Sequence, residues 1–234
     1  MSSARLFILL LLAFFVSSCS SKKDILYLQG TDKYISSEIN YKNHIIKIDD
    51  ILRVKLITID SDAANQFNLG SDVMGGNSKE LMKLNGYIVD NEGNINFPII
   101  GKVMLAGKTI NEARSIIYNL ILDAGYLKNH TVDVKLLNAH FTVLGEVNRP
   151  GTFEYIENNM NILKAIGLAG DLTITGKRDE IKLIREINNK NEIFNIDLSK
   201  SDLIYSDLFQ IYSGDIIIVE PNSTRIKNAG IIGN

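Results

Sequence analysis

Alternation of apolar and polar residues predicts strands in the first part of the chain. Residues 51–58 (ILRVKLIT) place an apolar side chain at every second position, which is the pattern of a half-buried strand. We expect residues 44–48 to form another strand before it, with a turn at Asp49-Asp50 between the two. Residues 60–83 carry three glycines and many polar side chains, so we expect a long loop there.

The strand pattern continues through residues 87–105 and then changes to a helical period. Thr109 and Glu112 have the spacing of a capping box, in which each side chain bonds the backbone N–H of the other residue. Apolar residues at every third or fourth position then predict a helix over residues 110–124. Alternation returns at residues 132–136, which predicts one more strand.

Residues 141–171 (FTVLGEVNRPGTFEYIENNMNILKAIGLAGD) predict a hairpin followed by an amphipathic helix. We place a tight turn at Arg149-Pro150-Gly151, since proline fixes φ at one central turn position and glycine tolerates positive φ at the next. Asn159 is the expected N-cap of the helix, and Gly170 is expected at its C-terminal cap. These residues have backbone roles, which favours a recognition or assembly module over an enzyme.

A second helix-and-strand unit indicates the fold class. Residues 160–184 repeat the order of helix, Ala-Gly and strand found in residues 110–137, and further strands are predicted at 192–197 and 216–219. Two such units with mixed strands predict an α+β protein rather than a solenoid, which needs more repeats.

The first residues have the features of a secretion signal. Arg5 precedes an unbroken apolar run of eleven residues at 6–16, which is typical of a signal peptide but shorter than the roughly 20 residues of a membrane-spanning helix. The run ends in Val16-Ser17-Ser18-Cys19, which resembles a bacterial lipobox. We therefore expect a signal peptide at residues 1–18 and lipidation of Cys19. An ordinary signal peptide with an incidental cysteine is the alternative.

Composition limits the remaining classes of function. Hydrophobic residues make up 45% of the chain and charged residues 22%, as in a folded globular protein. The formal net charge of −2 comes from interspersed residues of both signs, so the sequence gives no support for nucleic-acid binding. The single cysteine excludes an intramolecular disulfide, so stability must come from buried apolar surface.

The titratable residues do not suggest a catalytic or metal-binding site. The three histidines are isolated, so we expect no metal, no cofactor and no enzymatic activity. Asp49 and Asp50 could be a carboxylate pair for glycoside hydrolysis, but their strand-like neighbours favour a solvated turn. Arg149, Pro150 and Gly151 at the hairpin tip are candidates for contact with a neighbouring subunit. Arg149 could also contact an anionic polymer or be a solvated turn residue. Arg185 is expected at a strand end, paired with Glu186 or with a neighbour.

The ordered set of motifs resembles the outer-membrane polysaccharide export family, the Wza-like auxiliary lipoproteins of capsule and exopolysaccharide secretion. Residues 44–138 are similar to its polysaccharide export domain at Asp49-Asp50, Gly93-x-Ile95-x-Phe97-Pro98-x-x-Gly101-x-Val103 and Gly107-x-Thr109. Residues 139–221 are similar to a soluble-ligand-binding β-grasp domain at Gly145-Glu146-Val147-x-x-Pro150-Gly151-x-Phe153, Leu168-Ala169-Gly170, Ile184-Arg185 and Gly214-Asp215-x-Ile217-x-Val219.

The resemblance implies a mixed-sheet export domain and one β-grasp (ubiquitin-like) domain, with a tether at 19–43 and a short tail at 222–234. It also implies a homo-oligomeric ring, anchored by lipid in the outer membrane and facing the periplasm, through which polysaccharide passes. An inner-membrane polysaccharide co-polymerase or tyrosine kinase would be its partner.

The tail is shorter than the roughly 20 residues of a membrane-crossing helix. Either a separate protein supplies the outer-membrane pore, or the sequence lacks a C-terminal segment. A different class of function also fits the sequence: a monomeric periplasmic lipoprotein that binds a soluble sugar or another small ligand through its β-grasp domain.

Overall fold

The computed structural model describes residues 25–30, 43–59, 61–68, 83–157, 159–188, 190–223 and 225. Its helices and strands form two units with separate hydrophobic cores, which we call the N-terminal unit (residues 43–136) and the C-terminal unit (residues 140–221). Both units combine helices with sheets, so the predicted α+β class is confirmed.

The N-terminal unit is built on an antiparallel sheet. Its elements are β1 (Ile51–Thr58), α1 (Ser61–Asn65), β2 (Tyr87–Ile88), β3 (Asn94–Phe97), β4 (Gly101–Met104), α2 (Ile110–Asp123) and β5 (His130–Leu136). The order within the sheet is β2-β1-β5, and β3 and β4 form a separate hairpin. Helix α2 packs against β5, and the short α1 packs against β1.

Local sequence explains the main strand and the main helix of this unit. Leu52, Val54 and Leu56 of β1 are buried, which confirms the predicted alternation. The helix α2 begins with the predicted capping box. The Glu112 N–H donates to the Thr109 hydroxyl at 3.2 Å, and the Thr109 N–H donates to the Glu112 carboxylate at 2.7 Å.

The C-terminal unit is a five-stranded sheet covered by one helix. Its elements are β6 (His140–Gly145), β7 (Gly151–Glu154), α3 (Ile162–Leu168), β8 (Gly176–Ile187), β9 (Lys190–Ile196), a 3-10 helix (Ser201–Tyr205) and β10 (Ile216–Pro221). The strand order is β7-β6-β10-β8-β9, with β6 and β10 parallel and all other pairs antiparallel. This order, with a helix packed on the sheet, is the β-grasp arrangement that the resemblance implied.

The strands β6 and β10 approach so closely at Gly145 that a larger residue does not fit. Its φ is +88°, and a Cβ at this position would lie 2.1 Å from the carbonyl oxygen of Val219. The Glu146 N–H donates to the same oxygen at 3.0 Å, which directs the chain out of β6. Both backbone conformation and space therefore require glycine here.

The predicted strand at residues 44–48 is wrong. The segment makes a single bridge, between Ile45 and Thr109. Its central residue, Ile46, bonds a turn instead of a strand: its N–H donates to the Lys108 carbonyl and its carbonyl accepts from the Gly107 N–H, both at 2.9 Å. Apolar alternation is present, but the backbone partners of a sheet are not.

The long loop predicted from residue 60 is wrong over residues 61–65, which form α1. The mostly polar composition of this stretch obscured two apolar residues that support the helix. Ala64 and Phe67 are both buried in the core of the unit. Asn68 completes the packing, since its side chain accepts from the Leu56 N–H at 2.8 Å and donates to the Leu56 carbonyl at 3.0 Å.

Two details predicted for the C-terminal unit are also wrong. The connection between β6 and β7 is a five-residue loop, 146–150, rather than a tight turn, and Gly151 pairs with Val143 as the first residue of β7. The N-cap of α3 is Asn161, not Asn159, because the Asn161 side chain accepts from the Lys164 N–H at 2.9 Å. The sequence did indicate that the chain turns in both regions. For α3, the predicted N-cap lies two residues before the observed one.

Candidate functional site

Two loops at one end of the C-terminal unit pack directly on each other. Loop 146–150 follows β6, and segment 169–175 follows α3; we call them the paired loops, and the end that carries them the distal end. The Arg149 N–H donates to the Ala169 carbonyl at 2.8 Å, and the Thr173 N–H donates to the Glu146 carbonyl at 2.9 Å. Because backbone groups on both sides are bonded, the paired loops form one ordered surface.

The helix α3 ends where segment 169–175 begins. Gly170 has a φ of +76°, and the Asp171 N–H donates back to the Ile166 carbonyl at 3.0 Å. This is the left-handed cap predicted for Gly170. Asp171 also has a positive φ, of 73°, so two successive left-handed residues turn the chain toward β8.

Arg149, Pro150 and Gly151, the predicted contact residues, lie at this end of the molecule. Arg149 and Pro150 are exposed. The Arg149 guanidinium donates to the Leu168 carbonyl at 2.6 Å, where a cation complements the negative end of the helix dipole. Arg149 therefore also has a structural role, which the sequence did not indicate.

The N-terminal segment 25–30 docks onto the same end. The Tyr27 hydroxyl donates to the Asp171 carboxylate, and the Arg178 guanidinium lies 5.2 Å from the Tyr27 ring centroid. Partial burial, reinforced by the hydrogen bond to Asp171, raises the pKa of Tyr27 to about 12. The Leu28 N–H donates to the Leu198 carbonyl at 3.0 Å, so backbone as well as side chain holds the segment.

The C-terminal segment 222–225 is attached to the paired loops as well. The Asn222 N–H donates to the Thr175 carbonyl at 2.7 Å, and Arg225 Nε lies 3.2 Å from Glu146 Oε1. The other oxygen of Glu146 accepts from the hydroxyls of Thr175 at 2.5 Å and Thr173 at 2.7 Å. These donors stabilise the carboxylate and lower the pKa of Glu146, with Thr175 having the largest effect.

The N-terminal unit is attached at the opposite end of the C-terminal unit, which we call the proximal end. Asn138 joins the two units: its side chain accepts from the Ile51 N–H and donates to the Asp49 carbonyl, both at 2.9 Å. Lys47 and Glu186 add an ion pair at 2.9 Å between the units. The N-terminal unit and the segments 25–30 and 222–225 thus lie at opposite ends of the β-grasp sheet.

The environment of Arg185 differs from the prediction. Arg185 is not at a strand end paired with Glu186 but inside β8, buried against Asp215, with Nη2 at 2.6 Å from Oδ2. Nη2 also donates to the Gln210 carbonyl at 2.7 Å, and the guanidinium lies 4.3 Å from the Tyr212 ring centroid. These contacts satisfy the buried charge and give it a structural role.

The solvated turn predicted at Asp49-Asp50 is confirmed for Asp49, which is exposed in a turn, and is wrong for Asp50. Asp50 is 7% exposed, and its Oδ2 lies 2.8 Å from His44 Nε2 and accepts from the Lys47 N–H at 2.9 Å. Burial of Asp50 reflects its role in closing the turn before β1. Within the described parts of the chain, no group of three or more potential metal ligands is found.

Several contacts at the distal end were missed at the level of sequence. Tyr27, Asp171, Glu146 and Arg225 come from four separate stretches, so no local spacing connects them. Cys19, the predicted lipidation site, lies outside the described residues. No helix in the described ranges is both long enough and apolar enough to cross a membrane.

Family models match both units in the order in which they occur. A model described as "Polysaccharide biosynthesis/export protein" matches residues 40–137, and a model described as "SLBB domain" matches residues 140–194. The fold and the matches define the class as an export domain followed by an SLBB domain of β-grasp topology. The chain belongs to the polysaccharide export family, which is not a family of enzymes.

Two relatives are named for the same role. The chain is 29% identical over 159 residues to the EPS I polysaccharide export outer membrane protein EpsA of Ralstonia solanacearum. The aligned residues make up 66% of this chain and 41% of that protein. It is 36% identical over 106 residues to the protein of the same name in Ralstonia nicotianae, covering 44% of this chain and 27% of that one. The chain thus matches less than half the length of either relative.

Proposed function

We propose that this protein is an outer-membrane lipoprotein that takes part in the export of a capsule polysaccharide or exopolysaccharide. The observation that carries the proposal is the succession of an export-family unit and an SLBB unit in one chain, matched to relatives named as polysaccharide export outer membrane proteins. The proposed division is a signal peptide at 1–18, a tether at 19–43, an export domain at 44–138, a β-grasp domain at 139–221 and a tail at 222–234.

In this proposal, Cys19 carries the lipid and the folded units face the periplasm. Copies of the chain assemble into a closed ring, whose lumen is a passive conduit for the polysaccharide. Arg149, Pro150 and Gly151 are candidates for contact with the neighbouring subunit, since Arg149 and Pro150 are exposed on an ordered loop. Energy for transport comes from the inner-membrane partner, a polysaccharide co-polymerase or tyrosine kinase.

Weak contacts suit a conduit better than a tight binding site does, because the polymer must keep moving. A shallow groove of about 520 Å³ beside the end of β1 offers such contacts. Its lining includes the hydroxyl of Thr131, the amide of Asn129 and the ammonium of Lys128, all at the start of β5 or just before it.

Deletion of the gene, followed by staining for surface polysaccharide, tests the proposed role. We expect loss of surface polysaccharide and its return when the intact gene is supplied. Unchanged capsule and exopolysaccharide in the deletion strain would overturn the proposal.

The ring is tested separately. The lipoprotein is purified in detergent and its mass distribution measured by mass photometry, with the Arg149→Glu variant alongside. We expect a discrete oligomer of the native chain and a shift of the variant toward smaller species. A strict monomer at all concentrations contradicts the ring, and a monomer that binds a defined sugar tightly supports the small-ligand alternative.

A further inference from the structure

We propose that the distal end of the C-terminal unit rests on the lipid surface of the membrane, with Leu168 and Ile174 in contact with lipid. The inference rests on the proposed lipidation of Cys19. It starts from an observation about the fold: the segments 25–30 and 222–225 are both attached to the paired loops, whereas the N-terminal unit is attached at the proximal end.

Chain length keeps the distal end close to the lipid anchor. Five residues lie between Cys19 and Ile25, so six residue-to-residue steps join them. At full extension each residue spans at most about 3.5 Å, so the anchor lies within roughly 20 Å of segment 25–30. Because Tyr27 is tied to Asp171 by its hydroxyl, the paired loops are held within similar reach of the bilayer.

The surface at this end carries exposed apolar side chains. Ile174 is 77% exposed and Leu168 40% exposed, and Ile25 and Leu26 of the docked segment are 45% and 43% exposed. Thr173 and Thr175 both bond Glu146, which leaves the intervening Ile174 on the outside. Isolated exposed apolar residues need no explanation, but four of them at the end that carries the proposed membrane tether fit the boundary between headgroups and acyl chains.

Arg149 lies beside Leu168, at the edge of this end where the neighbouring subunit is also proposed to make contact. Its guanidinium donates to the Leu168 carbonyl, and the side chain is exposed. A long cationic side chain can rest its stem against apolar surface and place its charge among lipid phosphates. The anchor also raises the local concentration of lipid at this end, so weak contacts suffice.

A lipid surface fits the exposed side chains of Leu168 and Ile174 better than a second copy of the chain does. The tether brings the membrane to the distal end, while the contact proposed for the neighbouring subunit lies on loop 146–150 and Gly151. Docking at the distal end would set the N-terminal unit away from the outer membrane, toward the inner-membrane partner.

Site-specific fluorescence in vesicles tests the inference. Ile174→Cys and, as a matched control, Ile88→Cys are labelled with the environment-sensitive dye NBD in the full lipoprotein, which is reconstituted into phosphatidylethanolamine and phosphatidylglycerol vesicles. Ile88 is 60% exposed and lies on β2 in the N-terminal unit. Doxyl-labelled lipid serves as the quencher.

We expect the dye at position 174 to shift its emission to the blue and to lose at least half of its intensity to doxyl lipid, with little change at position 88. Equal, unquenched emission at both positions overturns the inference. A blue shift at 174 without lipid quenching also overturns it, because it indicates burial against protein, such as a second copy.

The same labelled variants are then tested for restoring surface polysaccharide in the deletion strain. Restored polysaccharide without quenching at 174 shows that lipid docking is wrong while the proposed export role stands. Quenching at 174 in a protein whose deletion leaves polysaccharide unchanged shows the reverse.

Discussion

Asp215 and Glu146 are acidic residues that each hold several parts of the C-terminal unit together. Asp215 is 1% exposed and is paired with the buried Arg185. Glu146 accepts hydrogen bonds from two hydroxyls of the segment before β8 and forms an ion pair with the guanidinium of Arg225. At the scale of single residues, the side chains that hold the unit together are recognised by their contacts in the folded protein. Their spacing in the sequence does not reveal them.

The buried ion pair gives a prediction on stability. Asp215→Ala leaves the Arg185 charge buried without its partner, which we expect to lower the free energy of unfolding by about 3–5 kcal/mol. Lys182→Ala is the control, because it breaks the half-exposed pair with Glu220 and should cost less than about 1 kcal/mol. Urea unfolding of both variants measures this. Equal losses in the two variants would show that Asp215 is not needed to compensate the charge.

Glu146 gives a prediction on pH dependence. Its pKa is lowered in the folded protein, so folding favours the carboxylate. This stabilisation is complete above the ordinary pKa of about 4.5 and is lost as the pH falls through the lowered folded-state pKa. We expect Glu146→Gln to reduce the free energy of unfolding at pH 7, and the difference from the native protein to shrink in acid.

Thr175→Val removes the donor with the largest effect on Glu146 and should diminish the same pH-dependent difference. Thermal unfolding between pH 3 and pH 7 measures all three proteins. A difference between native protein and Glu146→Gln that stays constant over this range would contradict the assigned role of the carboxylate.

At the scale of elements, α3 and the parallel pair β6 and β10 depend on single residues at their ends. Asn161 caps α3, and Gly145 permits the close approach of the two strands. Each has a matched control elsewhere in the unit.

The N-cap gives the third prediction. Asn161→Ala removes the acceptor for the Lys164 N–H and should cost about 1 kcal/mol of stability. Asn159→Ala should be close to neutral, because Asn159 is exposed and lies two residues before the cap. Urea unfolding distinguishes them. A larger loss for Asn159→Ala would mean that the helix starts earlier than the structure shows.

Gly145 gives the fourth prediction. Gly145 and Gly214 have φ values of +88° and +89°, so alanine brings the same strain of about 1–2 kcal/mol at either position. A Cβ at Gly145 also meets the Val219 carbonyl oxygen, whereas at Gly214 nothing lies within 4 Å. We therefore expect Gly145→Ala to destabilise far more than Gly214→Ala in thermal unfolding. Similar losses would show that β6 and β10 can separate without cost.

Elements that depend on local pattern were predictable, and those that depend on distant partners were not. The capping box at Thr109 and the cap at Gly170 are short-range signals, and both are confirmed. Residues 44–48 have a strand pattern, but Ile46 bonds the turn at 107–108, which no local rule indicates. The paired loops combine residues more than twenty positions apart, so their geometry emerges only in the fold.

For the whole molecule, the feature with most consequence for function is which parts of the chain are attached at each end of the C-terminal unit. The N-terminal unit is joined at the proximal end through Asn138, and the segments 25–30 and 222–225 are each attached at the distal end. In the proposed export role, this order places the lipid tether and the N-terminal unit at opposite ends of the β-grasp sheet. A subunit whose tether and N-terminal unit lie at opposite ends can extend a conduit away from the membrane that anchors it.

Partition of the polysaccharide between the medium and the cell tests the export role most directly. It is quantified in a deletion strain, in that strain supplied with the intact chain, and in that strain supplied with the Cys19→Ala variant. We predict that the deletion moves polysaccharide from the medium to the cell-retained fraction, that the intact chain reverses this, and that the variant without its lipidation site does not. Unchanged extracellular polysaccharide in the deletion strain would contradict the proposed function.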